Sequence, residues 1–146
     1  MLSPIVKAAT IDEYIENAAS GIVPGELGRL ADLSGRLWDK VTEADPVRHP
    51  RLQAQARILE ILLVTYQPRY DELPSDERRA LGELGVAASY LLKGYDVIPD
   101  EVEEIGFDDD AFLVDAVFSR NRDVIERWVA SRLERSISAS LFAPSR

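Results

Sequence analysis

A chain of 146 residues, 46% hydrophobic and 29% charged, is long enough for one soluble domain with a buried core. Zero cysteines exclude disulfides, thiolate zinc sites and a cysteine nucleophile, and suit a reducing cytoplasm. A net charge of −9 argues against non-specific nucleic-acid binding, and no apolar run approaches the roughly 20 residues that span a bilayer.

The N-terminus carries no sustained apolar core, so no secretory signal is expected. Ser3-Pro4 can open a short helix. Thr10 and Glu13 have the spacing of a capping box, so a helix is expected to start there and end by Gly21. Leu27, Leu30, Ala31, Leu33, Leu37, Trp38 and Val41 recur at helical spacing, which predicts one helix from about Gly25 to Ala44. Asp45 to Pro50 holds two prolines and reads as a connector.

From Arg51 to Tyr66 a wide apolar stripe predicts a central helix, nearly all-round buried in its second half and ended by Pro68. Ser75-Asp76-Glu77 reads as the next cap, with Leu81, Leu84, Ala88, Leu91 and Leu92 on one face and Gly94 at the end. A turn follows, then a short helical piece around Pro99–Glu104, then Gly106. Asp108 or Asp109 is expected to cap another helix. Phe112, Leu113, Ala116 and Val117 face inward. Val124, Ile125, Trp128, Val129, Leu133 and Ile137 continue the spacing, with a break or bend at Asn121. Residues 138–146 read as a frayed tail. No period-2 pattern occurs. The fold expected is all-α: one domain over residues 1–146, a compact bundle of five to seven helices around a hairpin from about Asp76 to Arg120.

Charge singles out one stretch. Asp96, Asp100, Glu101, Glu103, Glu104, Asp108, Asp109, Asp110 and Asp115 fall in twenty residues that hold no Lys or Arg. Without these nine, the 26 acids and 17 bases of the chain would balance. Like charges so crowded repel unless water, helix N-termini, a cation or a basic partner offsets them.

The same stretch, residues 90–117, resembles the YkvA-like family, a bacterial domain of unknown function. The resemblance is carried by Tyr90-Leu91-Leu92, Asp96, Ile98-Pro99-Asp100, Ile105-Gly106-Phe107 and Asp109-Asp110, which match the family's signature without a gap. It departs at Gly94-Tyr95, where the family has Ser-Pro, and at Glu103, where it has a second Pro. Glu101, Glu104 and Asp108 replace positions that are often apolar. The resemblance implies a helix–turn–helix hairpin with an aspartate constellation, and no established reaction.

Three readings of the acids follow. They can brace turns and charge helix N-termini with no ligand. Asp96, Asp100, Asp109 and Asp110 can hold a divalent cation such as Mg²⁺ or Ca²⁺, since oxygen ligands favour hard ions, although the spacing is not that of an EF-hand. A metal-dependent hydrolase is the further step on that reading, but no nucleophile or phosphate-cradling motif accompanies it. Alternatively Glu101, Glu103, Glu104 and Asp108 form a docking surface for a basic protein partner or a second copy, a non-enzymatic interaction or regulatory role. Arg120, Arg122, Arg127, Arg132 and Arg135 read as a solvated face interrupted by Asp123, Glu126 and Glu134, or instead as the basic face that meets the acidic patch of a second copy. His49 is the single histidine and reads as a loop residue. Trp38 and Trp128 read as core.

Overall fold

The computed structural model describes residues 8–42, 47, 49–93 and 103–130, with side chains described for 11–42, 47, 49–92 and 111–130. These residues form seven α-helices and one 3-10 segment, with no strand among them. The helices are α1 (Ala8–Ser20), α2 (Pro24–Leu33), α3 (Gly35–Val41), α4 (Leu52–Tyr66), α5 (Ser75–Lys93), α6 (Glu103–Arg120) and α7 (Arg122–Ala130). The 3-10 segment, Gln67–Glu72, follows α4 and contains Pro68, which cannot supply the N–H that would continue an α-helix. The all-α bundle expected from the periodicity is thus observed. Ser3-Pro4, the Pro99 turn and residues 138–146, for which the sequence raised expectations, lie outside the described residues.

Several boundaries differ from expectation. α1 begins at Ala8, so Thr10 lies within its first turn. Two alanines, the best helix formers, extend the helix past the apparent cap. α5 likewise starts one residue early in its bonding: Arg78 N–H donates to the Pro74 carbonyl, so Pro74 occupies the cap position and Ser75 is the first helical residue. The single helix expected over Gly25–Ala44 is two. At Ser34 the hydroxyl and the backbone N–H both donate to the Ala31 carbonyl, at 2.7 and 3.2 Å. Leu37 N–H then donates to Ser34 O, three residues back instead of four, and the tightened turn separates α2 from α3.

The centre of the bundle is α5, not α4. It packs against α1, α2, α3, α4, α6 and α7. Every residue from Ala80 to Ala88 is buried, where the sequence suggested one buried face. Gly85 thins the helix, so Leu27 and Ile22 approach it closely, whereas Gly82 has room for a methyl group. A Cβ added to Gly85 would meet Leu27 Cδ2 at 2.7 Å and Ile22 Cδ1 at 3.4 Å, whereas one on Gly82 would meet nothing nearer than 3.9 Å. Leu27 is itself only 1% exposed and has little space to retreat into. Gly82→Ala is therefore expected to stabilise the fold by about 0.5–1 kcal/mol through helix propensity. Gly85→Ala is expected to lose that gain and cost about 1 kcal/mol net through overpacking. Urea unfolding of the two variants would read the difference, and equal effects would contradict the close crossing.

One connected core draws on all seven helices and includes Leu37, Leu59, Leu63, Leu84, Leu91, Val117 and Phe118. α4 buries Leu59, Leu62 and Leu63 but leaves Val64 half exposed, so its second half is not sheathed on every side. Trp128 belongs to the core and stacks on Tyr66, as its spacing suggested, with ring centroids 4.3 Å apart. Trp38 is only partly buried, and the Arg57 guanidinium lies over its ring at 4.5 Å. Asn121 separates α6 from α7, which settles the alternative of one bent helix.

Candidate functional site

The acidic stretch reaches the described structure only in part. Asp96, Asp100 and Glu101 lie outside the described residues. Glu103, Glu104, Asp108, Asp109 and Asp110 are described as backbone alone, and that backbone is the first half of α6. Neither Asp108 nor Asp109 begins a helix, then. The helix starts five residues earlier and runs through Gly106, which helices tolerate at a cost of about 1 kcal/mol. The correction changes the electrostatics. Glu103 and Glu104 stand in the first turn, where the helix dipole favours negative charge, but positions 108–110 lie beyond its reach. Glu104 and Asp108 are four apart, a spacing at which like charges disfavour the helix.

The ninth acid, Asp115, is fully described, and it is not part of an open acidic surface. Its carboxylate accepts from Arg51 Nε at 3.0 Å, Arg51 Nη2 at 2.8 Å and Gln55 Nε2 at 2.8 Å. The parallel pair from a guanidinium to a carboxylate is the strongest common side-chain ion pair. It holds the Arg51 pKa above its ordinary value, chiefly through the hydrogen bonds to Asp115, which outweigh the opposing effect of burial. Gln55 is 1% exposed. These three residues clasp the start of α4 to the middle of α6. Beside them, His49, Pro50 and Ala111 help line a small cavity of about 90 Å³.

A second clasp closes the other end of α6. Glu83 of α5 is 1% exposed. Arg120 donates to both its oxygens, through Nε and Nη2, each at 2.9 Å, and Asn121 Nδ2 donates to Oε1 at 2.9 Å. Asn121 also donates to the Val117 carbonyl at 2.8 Å. Arg120 reaches on to Glu16 at 3.1 Å and Asp12 at 3.4 Å, both on α1. Burial pushes the Glu83 carboxyl up, but the hydrogen bonds from Arg120 and Asn121 and the charges of Arg120 and Arg79 outweigh it and leave it below the usual carboxylate range. The Arg120 guanidinium is raised in turn, first by its hydrogen bonds to Glu83. One arginine thus ties α1, α5 and α6 together.

None of these residues was singled out for a structural role by motif. The signal for Glu83 was present: it is the single charge between Ala80 and Leu92, a stretch otherwise of small and apolar residues. Arg120 departs from both expectations for the basic face, solvated or open to a second copy. It is 17% exposed and committed to three carboxylates of its own chain. Arg122 pairs with Glu126 at 3.0 Å, and Arg127 with Asp76 and Glu77 at 3.2 and 3.4 Å, all as exposed surface pairs. Arg132 and Arg135 lie outside the described residues.

Among the described residues no three His, Asp or Glu side chains converge in a way that could hold a metal ion, and no helix is long and apolar enough to cross a membrane. Between α1 and α6 runs a shallow groove of about 420 Å³, mostly apolar, whose lining includes Ile11, Phe112, Ala116 and Ser119. No family model, curated protein or solved structure matches the chain.

Proposed function

We propose that the chain is a non-enzymatic cytoplasmic interaction module, of YkvA-like kind, that presents its acidic stretch to a basic protein partner. The observation that carries this reading is the segregation of charge. The body of the bundle largely satisfies its own arginines: Arg29, Arg51, Arg69, Arg79, Arg120, Arg122 and Arg127 each meet a carboxylate of the bundle. The eight acids from Asp96 to Asp110 have no Lys or Arg among them in sequence. With Asp115 assigned to the α4–α6 clasp, these eight are where the surplus of the chain resides. Opposite charge on a partner would relieve their repulsion, speed encounter and make affinity fall with salt.

The test is calorimetric titration with an unstructured Lys/Arg peptide at low and high salt. The module reading expects saturable binding at low salt, weakened at least tenfold when Glu101, Glu103, Glu104 and Asp108 become amides together. Mg²⁺ and Ca²⁺ are titrated in parallel, with Asp109→Asn as control. Saturable cation binding that Asp109→Asn abolishes and the glutamate amides leave intact would replace this proposal with a divalent-metal domain centred on Asp96, Asp100, Asp109 and Asp110.

A further inference from the structure

The sequence from Phe112 to Phe118 contains one polar residue, Asp115. Leu113, Val114, Val117 and Phe118 are fully buried and account for the face of α6 that packs into the bundle. They do not account for Phe112, nor fully for Ala116, which is only partly buried against the core. These sit four apart on a second row of the helix, which Ser119 continues, and Phe112 is 36% exposed. A helix apolar on two faces is usually covered on both. Here the second row faces the groove of about 420 Å³ against α1, floored by Ile11, and no described element covers it.

The surroundings select what would cover it. Asp12, Asp115 and Arg120 also line the groove, each already paired with an opposite charge of this chain, so no unpaired cation stands among its described residues. Along α6 toward its N-terminus Asp108 is one helical turn from Phe112, and Glu103, Glu104, Asp109 and Asp110 share the same helix. The groove therefore adjoins the most acidic part of the chain. An apolar trough with acids at one end matches the face of an amphipathic helix whose flanks are basic.

We infer that the α1–α6 groove is the seat of a basic amphipathic helix, which places its apolar row against Phe112 and Ala116 while its Lys and Arg residues lie toward the acidic first half of α6. This rests on the module reading above, and it adds that the partner must be helical and apolar on one side, not merely basic. The exposed aromatic ring would serve as the anchor, as buried aromatics do at the centres of interfaces.

The test uses the full chain and two labelled 18-residue peptides of equal charge. One has leucines at helical i, i+3, i+4, i+7 spacing among Lys and Ala. The other has the same composition scrambled so that no apolar face forms. Anisotropy is expected to show the patterned peptide binding at least tenfold more tightly. Phe112→Ala and Ala116→Lys are each expected to remove that advantage and leave the scrambled peptide's binding unchanged. Amide shifts in 15N spectra should move at residues 112, 116 and 119 in the unmodified chain, a readout that does not depend on how well a variant folds. Equal binding of both peptides, lost in the amide variant of the acidic stretch, would overturn the groove and leave the acidic module standing. Patterned binding that survives the amide variant would overturn the basic partner. Binding of neither peptide would overturn both proposals.

Discussion

Replacing Arg120 with alanine is expected to cost about 3–5 kcal/mol of folding stability at neutral pH, because it strands a buried carboxylate. Glu83 would keep the Asn121 amide at 2.9 Å and a distant Arg79, 4.0 Å away on a side chain 65% exposed. Neither replaces two direct bonds from a guanidinium. The pH dependence should change sign as well as size. In the native protein the Glu83 carboxyl lies below the usual range, so its contribution is present above the unfolded carboxylate value and lost as pH falls through the folded one. Without Arg120 the effect of burial dominates, the folded carboxyl rises above its unfolded value, and protonation becomes favourable to folding. The deficit of the variant should therefore shrink between pH 7 and about pH 4, near the ordinary glutamate value. Urea unfolding at the two pH values decides it: a constant deficit, or one under about 1 kcal/mol at pH 7, would mean that the pair is not the keystone described here. Glu83→Leu combined with Arg120→Leu should recover part of the loss, since the main cost is an unpaired charge and not the absence of the pair.

Trp128→Ala is expected to be comparably damaging, about 3–5 kcal/mol, the range for emptying a large aromatic site. Trp128 is 5% exposed and lies nearly parallel to the ring of Tyr66, with 19° between their planes. α7 has nine residues, fewer than the roughly 12–15 an isolated helix needs, so its order depends on this docking. Trp128→Phe keeps a ring against Tyr66 and should cost distinctly less. Hydrogen exchange gives a local check, since amides of residues 124–129 should lose protection first in the alanine variant. Uniform loss across the bundle would instead make α7 an integral part of one cooperative unit.

Apolar spacing carried most of the fold. It placed α4, α5 and α7, because those helices bury a face whose period is visible in sequence, and it left Asn121 open as a break or a bend. What it missed depended on detail that periodicity averages away. The α2–α3 break rests on one serine that turns its hydroxyl back on the helix. The expected hairpin already contained α5, but its burial on every side from Ala80 to Ala88 was not visible: Gly85, a gap in a pattern of large apolar residues, is where Leu27 comes closest. The start of α6 was placed too late because aspartates resemble caps wherever they cluster, and Gly106 resembles an end. The site was less legible. Nine acids in a row of sequence read as one patch, yet Asp115 belongs to a clasp whose other members, Arg51 and Gln55, lie some sixty residues earlier. Long-range pairs of this kind leave no local trace.

The bond from Arg120 to Glu16 joins residues 104 apart in sequence. Its span has a consequence for how the chain is made. α1 is synthesised before α2, α3 and α4, yet the surfaces it packs on, α5 and α6, follow all three. Ile11 and Ile15, both at most 1% exposed in the finished molecule, stay uncovered until those two helices have been made. At thirteen residues α1 is too short to hold its shape alone in the meantime. α1 is thus written well before the helices that fold over it, and in that interval its apolar face depends on whatever shields such segments during synthesis.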